Sequence, residues 1–251
     1  MTDKEKEKSD YSALYDAVGV DVKKEKKYGY GINLDEMAQA GLQVGHRVSY
    51  CHPKMKPYIQ TIRGGIAVIN LEKTAELMEE AFRFIEKLIA EKKILILVGT
   101  KVQMKNLVKN TAKECGLSYI DNRWIGGFLT NFETIKKRAT FLKDLESKRA
   151  SGEFEKYTKK EKAQFDKKIK DLGIKFGGVK NLERFPDAIF FLDMQKDIIG
   201  IKEARQKGVK IIALADANIN PNLADYPIPA NDDAISAVSY VLARLKTVLK
   251  K

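Results

Sequence analysis

From Leu34 onward the sequence alternates short apolar runs with longer amphipathic segments, and this alternation restricts the chain to very few architectures. The runs Ile66 to Ile69, Ile94 to Val98, Ala188 to Leu192 and Lys210 to Ala215 are almost continuously apolar. That pattern predicts strands covered on both faces, as in a parallel sheet. A weaker strand is expected at Leu117 to Ile120, and Tyr226 to Pro229 reads as a short edge segment where its prolines are tolerated. Between them Leu71, Ala75, Met78, Phe82, Ile85 and Ile89 recur at helical steps, and Ile235, Val238, Leu242, Leu245 and Leu249 do the same after Asn231-Asp232-Asp233, which suit a helix start. The reading is an α/β fold: a doubly wound, three-layer domain of about five parallel strands, Rossmann-like and of the flavodoxin-like variety.

One stretch breaks the alternation. Residues 131–172 are polar, with apolar seams at Ile135/Leu142/Leu145 and Phe165/Ile169/Leu172 separated by Ser151-Gly152. Narrow seams on two long polar helices predict an antiparallel, coiled-coil-like hairpin protruding from the main domain, so that 34–130 and 173–251 form the α/β domain and 131–172 is inserted in it. Residues 1–33 read as an N-terminal extension, expected to be flexible, and its equal numbers of acidic and basic side chains make it zwitterionic.

Charge narrows the function. Forty-six Lys+Arg against 34 Asp+Glu leave a net charge of +12, so the field of the folded chain attracts polyanions, with nucleic acid ahead of an anionic membrane surface. No apolar run approaches the ~20 residues that span a bilayer, and the start lacks the apolar core of a secretory signal, so a cytoplasmic location is expected. Cys51 and Cys115 cannot form a disulfide framework.

Enzyme chemistry finds little support. Ile94 to Lys101, ILILVGTK, runs from a strand into Gly99-Thr100, but no phosphate-loop or dinucleotide fingerprint follows any strand. Gly99 is expected to permit a tight turn, with Thr100 as the helix cap. The pairs Gly64-Gly65 and Gly177-Gly178 read as turns. His46, His52 and Cys51 fall short of a well-spaced ligand set, so neither metal nor cofactor is expected. Asp193 and Asp216, at strand ends, read as caps or ends of hydrogen-bond networks. A nucleotide-binding flavodoxin-like enzyme is the alternative function.

Ordered strings then carry a specific resemblance. AGLQVGH (Ala40 to His46), PKMKPYI (Pro53 to Ile59), GGIAVINLEKT (Gly64 to Thr74), LVGTK (Leu97 to Lys101), NRWIGGFLTNF (Asn122 to Phe132), FPDAIFFLD (Phe185 to Asp193) and IPANDDAI (Ile228 to Ile235) together resemble the bacterial S-two family of small-subunit ribosomal proteins. The resemblance implies a Rossmann-like domain with a helical hairpin, bound to small-subunit (16S-type) rRNA and supporting the docking of neighbouring proteins, including ribosomal protein number one. It implies a structural constituent of the ribosome, not an enzyme. Ser49 to His52 depart from the family pattern, which has two arginines, a tryptophan and an asparagine there.

The candidate RNA-contacting side chains are Arg47, Lys54, Lys56, Arg63, Lys101, Arg123 and the cluster Lys136, Lys137 and Arg138. Lys54 and Lys56 lie on a stretch stiffened by Pro53 and Pro57, which loses little entropy on docking. Arg123 offers a forked donor for phosphate. Trp124 is expected to anchor the hairpin, with Gly126 and Gly127 forming the turn at its base.

Overall fold

The computed structural model describes residues 28–250. The seven helices described are α1 (Leu34–Ala40), α2 (Leu71–Ala90), α3 (Lys105–Glu114), α4 (Phe132–Ala150), α5 (Lys159–Phe176), α6 (Ile198–Lys207) and α7 (Ile235–Leu249). The strands are β1 (Val44–Arg47), β2 (Ile59–Arg63), β3 (Ile66–Ile69), β4 (Leu95–Val98), β5 (Ser118–Ile120), β6 (Ala188–Phe191), β7 (Lys210–Ala215) and β8 (Tyr226–Pro229).

The main sheet has five parallel strands in the order β5-β4-β6-β7-β8. Counted along the chain this is the flavodoxin-like order, with its switch point between β4 and β6. The inner strands β4, β6 and β7 are buried on both faces, as the apolar runs require, while the edge strands β5 and β8 are partly exposed. Leu95, Leu97, Phe190, Ile212 and Leu214 point to one side, into a core completed by α2, α3 and α7. Ile96, Val98, Ile189, Phe191 and Ala213 point to the other, against α6, Trp124 and the start of α4. The period-2 alternation of each strand therefore supplies two cores from one sheet.

Ile66–Ile69 is where the structure departs from the expected sheet. It is β3, the centre of a separate antiparallel sheet ordered β1-β3-β2. Gly64 and Gly65 both take positive φ, 54° and 77°, and connect β2 to β3 by a two-residue hairpin turn. Such a turn enforces antiparallel pairing, and an apolar run alone does not reveal which partner a strand takes. Tyr226–Pro229 instead fills the fifth parallel position, with Pro227 and Pro229 on the outer edge strand.

Three local expectations also change. The side chain of Asn231 accepts from the backbones of Asp233 and Ala234, so the loop is folded by an Asx turn and α7 begins only at Ile235, which is exposed. Gly99 has no positive φ; a Cβ there would lie 2.6 Å from Val108, so close packing of α3 on β4 is what requires glycine. Thr100 caps no helix, because its hydroxyl is turned to Asp197 and a 3-10 turn at Val102–Met104 precedes α3. Packing also begins before Leu34: Ile32 is buried and Tyr30 meets Phe82 edge to face. Residues 1–27 of the expected extension lie outside the described residues.

α4 and α5 run antiparallel, joined by a turn whose Phe154 stacks on Phe165 at 4.7 Å. Thr158 and Glu161 form a reciprocal capping box at the start of α5. Ile135, Ala139, Leu142 and Leu145 of α4 and Ile169 of α5 bury the shared seam, while Arg149 pairs with Asp166 across it at 3.3 Å.

Gly200 in α6 seats the only indole of the chain: a Cβ at this position would lie 2.7 Å from Trp124 and 2.9 Å from Phe191. Gly200→Ala is expected to lower stability by about 1–3 kcal/mol through overpacking, and to shift Trp124 fluorescence. Equilibrium urea unfolding followed by that fluorescence checks both; an unchanged midpoint counts against this packing.

Candidate nucleic-acid interface

In open α/β sheets the carboxyl ends of the strands, at the switch point, are where ligands bind. Here β4 ends in Gly99-Thr100-Lys101 and β6 in Leu192-Asp193, and the space between them is filled by the chain's own charges. Lys101 Nζ lies 3.0 Å from Asp193, 2.7 Å from Asp232 and 2.8 Å from Asp233, and the side chain is only 14% exposed. Burial works to lower the pKa of this ammonium, but the carboxylates outweigh that and hold it above the ordinary lysine value. Thr100 donates to Asp197 at 3.1 Å, and Lys196 Nζ donates to the Thr100 carbonyl at 2.9 Å. Burial pushes the Asp197 carboxyl up to about 7. At the end of β7, Asp216 is buried and bonded to His46 Nδ1 at 3.0 Å. Lys101 and the aspartates around it thus occupy the place where a ligand sits in such a sheet.

The small antiparallel sheet lies beside this edge, tied to it by the His52 N–H, which donates to the Ala217 carbonyl at 2.8 Å. Arg47 and Arg63 both stand in register with Ile66, so the three side chains share one face. Two strand spacings put the arginines roughly 10 Å apart. Lys54 and Lys56 occupy the 3-10 turn Pro53–Tyr58 that leads into β2, a turn capped by His52 Nδ1 accepting from the Lys54 N–H at 3.2 Å.

Arg123 follows β5 at the same end of the sheet. Asn122 beside it donates to the Ile174 carbonyl at 3.0 Å and accepts from Lys105, fixing the loop to α5 and α3. Trp124 is buried, at 6% exposure, and packs on Phe128 and Phe191, so its ring faces protein. A residue the sequence did not single out holds this turn. Glu203 of α6, itself buried, accepts from the Trp124 indole at 3.3 Å and from the backbone N–H groups of Gly127, Leu129 and Thr130 at 2.8, 3.0 and 3.3 Å. One carboxylate thus satisfies the donors exposed where the chain enters α4. Gly127 alone of the glycine pair needs its residue type, with φ 86°. Nothing in the pattern of α6 distinguishes Glu203 from a solvated glutamate.

The strings that carried the resemblance meet at this edge: AGLQVGH ends in His46, LVGTK in Lys101, FPDAIFFLD in Asp193, and IPANDDAI contains Asp232 and Asp233. The family model described as Ribosomal protein S2 matches residues 37–251. The chain belongs to the ribosomal protein S2 family. Two curated relatives, both named small ribosomal subunit protein uS2, are each 40% identical to it: one from Roseiflexus sp. (strain RS-1), aligned over 85% of this chain and 82% of the relative, and one from Dehalococcoides mccartyi, over 85% and 87%.

Within this S2 fold the candidate cations separate into two kinds. Lys101 faces inward and is neutralised by three carboxylates. Arg47, Lys54, Lys56, Arg63, Arg123, Lys136, Lys137 and Arg138 are exposed, and none of them has an ion-pair partner among the described residues. Among the described residues no helix is long and apolar enough to cross a membrane.

Glu203→Ala strands several buried N–H groups, each worth about 1–3 kcal/mol, and is expected to destabilise the fold by about 3–5 kcal/mol and to alter the near-ultraviolet signal of Trp124; a loss under 1 kcal/mol in chemical denaturation contradicts the anchoring role. The raised Asp197 pKa keeps a proton on the folded chain that the unfolded chain releases. Its contribution to stability is therefore complete below about pH 4 and lost as the pH rises to about 7. The difference in unfolding free energy, Asp197→Asn minus wild type, should grow by on the order of 2 kcal/mol across that window, as read from urea midpoints at pH 4.5 and 8.

Proposed function

We propose that the chain is a structural constituent of the small ribosomal subunit, working in the cytoplasm as part of the ribosome, and that it binds small-subunit rRNA through the outward-facing cations at the carboxyl edge and on α4. The observation that carries this reading is the sorting of charge. The acids of the edge are consumed internally around Lys101 and His46, whereas the exposed Arg and Lys side chains named above carry no counter-charge among the described residues. Unneutralised cations on a rigid frame suit a folded RNA, which is recognised largely by its shape and its phosphate and ribose groups. A nucleotide-binding enzyme is disfavoured by the same edge, whose crevice presents carboxylates where a phosphate would have to sit.

Each part has a role in this proposal. Arg47 and Arg63, about 10 Å apart on one face, span neighbouring phosphates, with Lys54 and Lys56 extending the contact. Arg123 takes a phosphate in a forked geometry, and Lys136, Lys137 and Arg138 grip the backbone beside the first turns of α4. The unit formed by 34–130 and 173–251 is the RNA-bound body, and 131–172 is an arm whose thirteen Lys/Arg outweigh its eight Asp/Glu. The family resemblance extends the proposal to neighbouring small-subunit proteins, ribosomal protein number one among them, whose docking the chain would support.

The test is incorporation. In a sucrose gradient of native lysate the chain should co-migrate with the small-subunit RNA in near-equal amounts. Lys136→Ala/Lys137→Ala/Arg138→Ala should leave the melting temperature unchanged, weaken RNA binding by the free chain at least tenfold at moderate salt, and reduce the slope of log affinity against log salt by about 2. Full subunit occupancy with an unchanged salt slope would remove the cluster from the interface.

A further inference from the structure

Phosphate contacts employ the cations of the small antiparallel sheet but leave the apolar side chains beside them uncovered. Tyr50 is 68% exposed and Ile62 57%, and Val48 and Ile66 are exposed as well. They gather at one end of the sheet. Ile62 and Ile66 flank the Gly64-Gly65 turn between β2 and β3, where a Cβ on either glycine would meet nothing within 4 Å. Tyr50 closes the 3-10 turn Val48–Tyr50 that follows β1, and the Val48 N–H donates to the Gly65 carbonyl at 2.9 Å, holding this turn against the tip of the hairpin. The Tyr50 ring meets no other aromatic ring, and its hydroxyl has no partner, among the described residues. Exposed apolar groups collected in this way mark an interaction surface.

Charge decides what kind of partner covers this end. No Asp or Glu occurs between Glu36 and Glu72, so the small sheet and its turns carry cations with no acid of their own. Arg47 and Arg63 stand in register on either side of Ile66, and Lys54 and Lys56 lie in the turn before β2. Asp233, which reaches β1 at His46 Nε2 across 3.4 Å, is held there and by Lys101 at 2.8 Å. A polyanion therefore fits better than an apolar protein face. Only one form of RNA also covers the apolar groups. In a duplex the flat faces of the bases are stacked on one another, and the edges, riboses and phosphates that reach the surface leave Tyr50 and Ile62 in water. An unpaired base presents its flat face, which stacks on an aromatic ring.

We propose that this end of the small sheet binds an unpaired segment of RNA, with the Tyr50 ring stacked on one base, Ile62 and Ile66 against its neighbours, and Arg47 and Arg63 on the flanking phosphates. This rests on the RNA-binding reading given above and deepens it: the small sheet takes a loop, a bulge or a strand end, while the cluster on α4 holds backbone. A tyrosine has only two side-chain torsions to fix, so stacking costs it little conformational entropy. Every base has a flat face, so the contact recognises that a base is unpaired and not which base it is. The ring is uncharged, so its share of the affinity is independent of salt, whereas that of the arginines is not.

The experiment measures, by fluorescence anisotropy over a range of salt concentrations, binding of the full chain to a short labelled RNA strand, alone and annealed to its complement. Tyr50→Ala should weaken single-strand binding by about 5–100-fold, with the salt slope and the duplex affinity unchanged. Tyr50→Leu, which keeps apolar bulk without a ring, should lose as much, and Tyr50→Phe should bind as the wild type does. Arg47→Ala/Arg63→Ala should instead flatten the single-strand slope of log affinity against log salt by about 1.4. Equal losses on single strand and duplex, or full affinity in Tyr50→Leu, would overturn the stacking. So would a Tyr50→Ala chain that keeps its single-strand affinity but drops out of the subunit, which would give the face to a protein neighbour. Full affinity in Tyr50→Ala, with binding still weakened by the triple substitution on α4, would overturn this proposal and leave the RNA reading standing. No binding of either RNA by the wild type would overturn both.

Discussion

The arrangement of the carboxyl edge depends on one buried ammonium. Lys101, in the segment following β4, holds its Nζ within 3.0 Å of Asp193 from the segment after β6 and of Asp232 and Asp233 from the segment after β8. Removing a lysine from water is unfavourable unless opposite charge surrounds it, and clustering aspartates is unfavourable unless a cation sits among them. Each condition supplies the other. The result closes the switch-point crevice that most folds of this topology leave to a ligand, and turns a potential binding cleft into a structural joint.

A second joint works by the same logic with the charges reversed. The Glu203 carboxylate gathers backbone N–H groups from Gly127, Leu129 and Thr130 and the Trp124 indole. It fixes the point where the chain leaves the sheet and enters α4, so the direction of the α4–α5 pair is set by a residue on α6. Gly200, one turn earlier on the same helix, makes room for the indole. Together they explain why NRWIGGFLTNF reads as a unit: its tryptophan, its positive-φ glycine and its turn amides are all partners of one helix.

With the aspartates of the carboxyl edge committed to internal joints, the cations beside that edge are left without counter-charge among the described residues. A net charge of +12 describes the whole chain, whereas the proposed recognition surface rests on which cations lack ion-pair partners among the described residues. Arg47 and Arg63 are exposed beside Ile66 at the outer end of the small sheet, and Lys136, Lys137 and Arg138 are exposed because the apolar seam of α4 points the other way. The net charge and the exposed cations both support the polyanionic partner proposed for the chain.

Much of this was legible in the linear order. Apolar runs bounded by amphipathic segments determine a parallel sheet with helices on both faces, because only that arrangement buries continuous strands; the paired narrow seams of 131–172 determine two helices that pack on each other. The ordered strings determine the family. The tertiary structure alone decided that Ile66–Ile69 joins a second, antiparallel sheet, since a run's apolarity does not specify its partner. It alone decided that Lys101 turns inward while Arg47 and Arg63 stay out, and that Glu203, His46, Asp216 and Asp233 act in groups. Those groupings depend on distances between side chains far apart in sequence, and a lone charged or polar residue carries no local mark of the partner that folding brings to it.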